Sequence, residues 1–300
     1  MNQLDQKYFP GFESHQLNTG EVNIHLATGG SGPPLLLLHG YPQSRMIWRD
    51  IASKLAEQFT VVATDLRGYG NSDKPFGTDD HVTYSKRVMA QDQVGVMQQL
   101  GHEKFLVAGH DRGGRVALRM ALDHPEKVQK LAVLDIAPTA DMYAGTTQTF
   151  ASIYYHWFFL IQPYDLPERL IGAESEYYVR TKLRPLLSNC DVPEDVVDHY
   201  ITAFCKPETI HAMCEDYRAS ASIDLEHDAE DANTKVSCPT LAIWGEQGII
   251  GKLFDPVTLW SNKTNDLITK AFPCGHYIPE EAPEKTLDAF LRFFGPTPKD

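Results

Sequence analysis

Cysteine is scarce and unpatterned: five residues, an odd number at scattered positions, make neither a disulfide framework nor a zinc-ligand spacing. Basic residues are in deficit, 27 Lys and Arg against 40 Asp and Glu, for a net charge of −13. That balance argues against nucleic acid and anionic membranes as partners. It also repels an anionic substrate, so a site for one needs local cations. No apolar run reaches membrane-spanning length. Residues 1–10 are polar and lack the apolar stretch of a secretory signal. Repeats and low-complexity tracts are absent. The expectation is a cytoplasmic, reduced, globular chain, and 42% hydrophobic residues suffice for a full core.

What is present is an alternation of short apolar runs with helical periodicity. A leading hairpin is expected between Gly11 and Thr28. Leu35–Leu38, Thr60–Thr64, Phe105–Ala108 and Leu131–Asp135 read as strands buried on both faces. Helices are expected over 46–57 and 84–100 and after the third of these strands. Such βαβ units imply a parallel sheet. From 139 to 236 the alternation lapses into aromatic, helical patterns, including Trp157–Leu160, Tyr177–Val179 and Val196–Val197. It resumes at Thr240–Gly245 and Leu267–Phe272, with a closing helix over 283–294. The expected organisation is an α/β core (1–138 and 237–300) interrupted by a helical cap (139–236).

The sharpest local signal is Gly109-His110-Asp111-Arg112-Gly113-Gly114-Arg115, between an apolar strand and an amphipathic helix. This is a nucleophile elbow with Asp where G-x-S-x-G carries Ser. A carboxylate can attack a saturated carbon bearing a leaving group, or an epoxide, to form an ester. The bland use of Asp here is a helix N-cap. His39-Gly40-Tyr41, Asp135 and Gly275-His276 also fall at expected strand ends, where open α/β sheets collect ligands. His276 is then the base that activates water against the Asp111 ester. The acid expected to orient it is Asp135; the alternative is Glu246 after the penultimate strand, where Gly248 holds a position often occupied by Asp. Arg112 and Arg115 fall on one face of the first helical turn, where cations are disfavoured by the dipole. That double violation points to a bound carboxylate, the bland alternative being pairing with the chain's own acids. Arg112→Leu is therefore expected to damage binding far more than folding. Ser44-Arg45 would add a cation near the mouth.

The order nucleophile, acid, histidine, with His39-Gly40, Asp65–Asp73, the elbow and the late Gly-His, resembles the α/β-hydrolases over most of the chain. The elbow string, Tyr155-His156-Trp157, Gln162-Pro163 and Cys214–Arg218 together resemble the fluoroacetate (haloacetate) dehalogenases. The resemblance implies an α/β-hydrolase fold, with Asp111 attacking the α-carbon of a small haloacid. It implies Arg112 and Arg115 on the carboxylate, and His156, Trp157 and Tyr217 on the departing halide. The backbone N–H groups of Tyr41 and Arg112 would form the oxyanion hole. It implies no cofactor and no metal, and a homodimer as the assembly to test for. Tyr41 departs from the bulky apolar residues found there in relatives. Epoxide hydrolases share the Asp elbow and use two lid tyrosines, for which Tyr154, Tyr155 and Tyr217 are available. Haloalkane dehalogenases usually place Trp where Arg112 stands. A non-catalytic receptor of this fold would not need Asp111, Asp135 and His276 together.

Overall fold

The computed structural model describes residues 3–295; residues 1–2 and 296–300 of the expected core lie outside the described residues. Eight strands form one sheet: β1 (Glu13–Asn18), β2 (Asn23–Gly29), β3 (Pro34–Leu38), β4 (Thr60–Thr64), β5 (Phe105–His110), β6 (Val128–Leu134), β7 (Thr240–Gly245) and β8 (Leu267–Phe272). Their order across the sheet is β1-β2-β4-β3-β5-β6-β7-β8. The leading hairpin pairs antiparallel within itself and against β4, and β3 through β8 are parallel. In the middle of the sheet every residue of β5, and all of β3 after Pro34, is buried. That is why these strands are written as unbroken apolar runs instead of alternating ones.

The chain leaves β3 outward to β4, then returns to β5 on the other side of β3. This reversal is a topological switch point, where loops diverge and leave a crevice at the strand ends. The loops lining it carry Tyr41 after β3 and Asp111 after β5. One position in the elbow helix (Arg112–Asp123) keeps the crevice tight. A Cβ on Gly113 would lie 2.3 Å from the His39 carbonyl oxygen, so only glycine lets the helix approach β3 this closely.

Between β6 and β7 the chain is helical, from Thr139–Ala144 through Ile223–Glu230, with no named strand. The longest pieces are Ser175–Asn189 and Pro207–Ser220, the second buried throughout from Thr209. The closing helix, Pro283–Phe294, packs on Arg49–Leu55.

Arg45 is not at the cavity mouth. It is completely buried, donating to Asp65 at 2.6 Å and to Asp5 on the short N-terminal helix Gln3–Tyr8. A buried guanidinium needs such partners, and the two aspartates supply them.

Gly113→Ala should destabilise the protein by about 1–3 kcal/mol, because the neighbour it meets is backbone and cannot swing aside. Denaturant unfolding checks this, and a wild-type midpoint would count against the close approach.

Candidate active site

The chain turns from β5 into the elbow helix at a single residue, Asp111, with φ 49° and ψ −118°. A non-glycine residue in this region carries strain of order 1–3 kcal/mol, which the surrounding packing must hold. Asp111 stands at the N-cap position, yet its side chain makes no capping hydrogen bond. Its carboxylate is turned the other way, where Oδ1 accepts the Tyr41 backbone N–H at 2.9 Å. A Cβ on Gly40 would sit 2.4 Å from that of Asp111, so the β3 loop can come this close only without a side chain there. Arg112 opens the helix, where the first N–H groups have no intrahelical acceptor. Burial works against the Asp111 carboxylate, but His276 and the two arginines hold its pKa below the usual value.

His276 follows β8. Its Nδ1 bonds Asp135 Oδ2 at 2.6 Å, and its Nε2 stands 3.8 Å from Asp111 Oδ2, beyond hydrogen-bond length. Asp135 is itself at φ 49°, just past β6, and its Oδ1 accepts the Gly245 N–H at 2.9 Å. Burial disfavours an imidazolium here, but Asp135 foremost, with Asp111 and Glu281, outweighs it and raises the His276 pKa. Glu246 is exposed, away from this pair. A Cβ on Gly248 would lie 3.2 Å from both Asp135 carboxylate oxygens. Position 248 and Asp135 therefore meet at one place, and Asp135 supplies the carboxylate there.

The arginines are brought together beside Asp111, but not as equals. Arg112 is completely buried and clamped by the insertion. Its Nε and Nη2 donate to Asp216 at 3.0 and 2.6 Å, and Nη2 also reaches Ser220. Lys86 pairs with the same Asp216, whose carboxyl burial would raise but whose two cations pull far below the usual range. Arg115 has no carboxylate partner among the described residues. Its Nη1 donates to the Ala137 carbonyl at 2.9 Å and the Thr139 hydroxyl at 2.8 Å. Burial, then the neighbouring Arg112, depress its pKa. One buried donor on each remains unused: Arg112 Nη1 and Arg115 Nε. Each guanidinium is covered by a ring, Arg112 by Tyr217 at 4.3 Å and Arg115 by Trp157 at 4.9 Å. Neither arginine lines the open cavity.

That cavity, about 230 Å³, lies between Asp111, His276 and the helical insertion. His156, Trp157 and Tyr217 all line it, with the His156 and Tyr217 rings 5.6 Å apart. Burial holds His156 well below its usual pKa, so it is a neutral imidazole, and its Nδ1 has no partner. Tyr41 stacks on His156 at 5.7 Å, with its hydroxyl 3.5 Å from that of Tyr178. Tyr154 and Tyr155 also line the cavity.

Three contributors escaped the sequence reading. Asp216 was visible only as part of a string, and nothing local marks it as the partner of Arg112. His110 sits inside the elbow motif itself. Burial lowers its pKa to about 3, and its neutral ring bonds the His276 carbonyl at 2.8 Å, bracing the histidine loop. Lys182 lines the cavity from the helix Ser175–Asn189.

Among the described residues no cluster of His, Cys, Asp and Glu could hold a metal, and no helix is long and apolar enough to cross a membrane. Residues 33–283 match the alpha/beta hydrolase fold family. A fluoroacetate dehalogenase from Burkholderia sp is 42% identical over 95% of this chain and 94% of its own. A soluble epoxide hydrolase from Corynebacterium sp. (strain C12) is 35% identical over 94% of this chain and 97% of its own. Among solved structures, a Nostoc sp PCC 7120 protein assigned to the alpha/beta hydrolases superposes with TM-score 0.93 at 55% identity, covering 96% of this chain and 99% of that one.

The clamp on Arg112 reverses one sequence expectation. Arg112→Leu should cost about 3–5 kcal/mol of stability as well as function, since it removes half of a buried ion pair. Thermal unfolding reads the loss, and an unchanged melting temperature would contradict the clamp.

Proposed function

The chain belongs to the fluoroacetate dehalogenase-like family of α/β-hydrolases, and on that premise we propose that it hydrolyses short 2-haloacids, haloacetates foremost, to 2-hydroxyacids and halide. The observation that carries this reading is the pair of unused buried donors, Arg112 Nη1 and Arg115 Nε, beside the Asp111 carboxylate. Arg112 keeps Asp216, but Arg115 is a buried guanidinium without an acid partner among the described residues, which is costly. A substrate carboxylate is the group that would satisfy it with charge-assisted bonds. The need grows during reaction, because esterification removes the negative charge of Asp111 from beside Arg115.

The carboxylate held by the arginines presents its α-carbon to Asp111 Oδ2, while Oδ1 stays on the Tyr41 N–H. The new C–O bond forms as the carbon–halogen bond breaks, and the halide leaves with the bonding pair. His156, Trp157 and Tyr217 offer an imidazole N–H, an indole N–H and a phenol O–H to stabilise it. His276 Nε2 then takes a proton from water, and the resulting hydroxide attacks the Asp111 carbonyl carbon. The N–H groups of Tyr41 and Arg112 stabilise the oxyanion. As it collapses, the C–O bond to the substrate breaks, protonated His276 gives its proton to the departing alkoxide to release the hydroxyacid, and the new Asp111 carboxyl loses its proton to solvent. Asp135 keeps the imidazole in orientation and stabilises its protonated form. No cofactor enters this sequence.

A second reading, epoxide hydrolysis, is favoured by Tyr154 and Tyr217, two phenols lining the cavity with Asp111. A neutral epoxide brings no carboxylate to Arg115, which favours the haloacid.

Halide release from fluoroacetate and chloroacetate, beside a neutral chloroalkane and a simple epoxide, separates the two. Release from the haloacetates alone is expected; diol without halide would move the assignment to the epoxide. Arg115→Leu should lower kcat/KM for chloroacetate at least about 30-fold. His276→Asn should alkylate once and stall, leaving an Asp111 ester visible by intact mass, and an unmodified chain would sink the two-step mechanism. Because Asp135 favours the protonated His276 ring and water activation needs the neutral one, kcat should fall on the acid side. A kcat with no acid limb would show that His276 is not the base.

A further inference from the structure

The carboxylate clamp lies out of sight of the open cavity, behind Tyr217 and Trp157, so an incoming anion first meets another surface. Among the described residues lining the cavity, Lys182 is the one lysine or arginine. It is partly exposed, with its ammonium 3.8 Å from the centre of the Tyr155 ring and 5.5 Å from that of Tyr178. It has no carboxylate partner among the described residues. Its backbone is fixed from the core, where Tyr277, next to His276, donates its hydroxyl to the Lys182 carbonyl at 2.9 Å. Rings hold a cation in place without neutralising its charge, as a carboxylate would. Burial lowers the ammonium pKa to about 7, so an arriving anion also favours its charged form.

We propose that Lys182 is the anion-capture residue of this enzyme, drawing the carboxylate of an incoming haloacid into the cavity before Arg112 and Arg115 receive it. The proposal rests on the haloacid reading above. The need is set by the chain's net charge of −13, which repels small anions at long range. A single cation on the low-dielectric wall of a cavity focuses the field there, and such steering is worth a factor of about 10 or more in association. The effect is screened by salt, because the Debye length falls from about 10 Å at 0.1 M to about 3 Å at 1 M. Lys182 touches no reacting atom, so its contribution belongs to capture and not to the chemical step.

The experiment compares wild type, Lys182→Met and Lys182→Arg with chloroacetate across ionic strength. Lys182→Met keeps the long apolar stem and removes the charge. It should lose about tenfold in kcat/KM at low ionic strength, with kcat changed less than about twofold, and the deficit should shrink as salt is added. Lys182→Arg should remain within about threefold of wild type. A Met variant with wild-type kcat/KM, a deficit independent of salt, or an Arg variant as impaired as Met would overturn the capture role while leaving the haloacid reading intact. No halide release by the wild type would overturn both.

Discussion

Everything at this site hangs on how closely two loops approach at the ends of β3 and β5. Gly40 lies against the Asp111 side chain and Gly113 against the His39 carbonyl, with distances that admit no Cβ. That contact holds Asp111 at a positive φ, turns its carboxylate away from the helix it would otherwise cap, and delivers Oδ1 to the Tyr41 N–H. Strain and polar pairing are two sides of one geometry: the elbow is unfavourable locally and is maintained by packing on both faces.

A second layer of organisation is charge. The protein is acidic overall, yet cations gather beneath the cavity. Asp216 takes both Arg112 and Lys86, which removes most of the cost of burying them. Arg115 is left with a carbonyl, a hydroxyl and a thioether, partners that orient a guanidinium without cancelling its charge. The insertion thus does more than cover the site. Its helix Pro207–Ser220 ties down one arginine and offers no carboxylate to the other, while the rings of Trp157 and Tyr217 lie over both.

Much of this was legible in the chain. Leu35–Leu38 and Phe105–Ala108 announce buried parallel strands because an unbroken apolar run bounded by turn residues suits a strand covered on both faces. Pro283 and Phe294 bound the closing helix as its periodicity predicts. Other readings were not recoverable in this way. Arg45, close to His39-Gly40 in sequence, has the look of a mouth residue, but its cation goes inward to Asp5 and Asp65. Arg112 has the look of a pure binding group, but its guanidinium is engaged by Asp216.

The sequence by itself determined which reactive groups exist and in what order they meet the ends of strands. Hydrophobic periodicity, turn residues and the elbow motif act over a few neighbouring positions, so a single sequence records them. Only the tertiary structure decided which charges pair. Arg112 and Asp216 are 104 residues apart, and His276 and Asp135 are 141 apart. At such separations any acid of this acidic chain is a candidate until the fold brings one of them within hydrogen-bond reach. The hydrogen bond of Asp135 to His276 and the lack of a carboxylate partner for Arg115 among the described residues follow from where packing places these groups, which no local pattern carries.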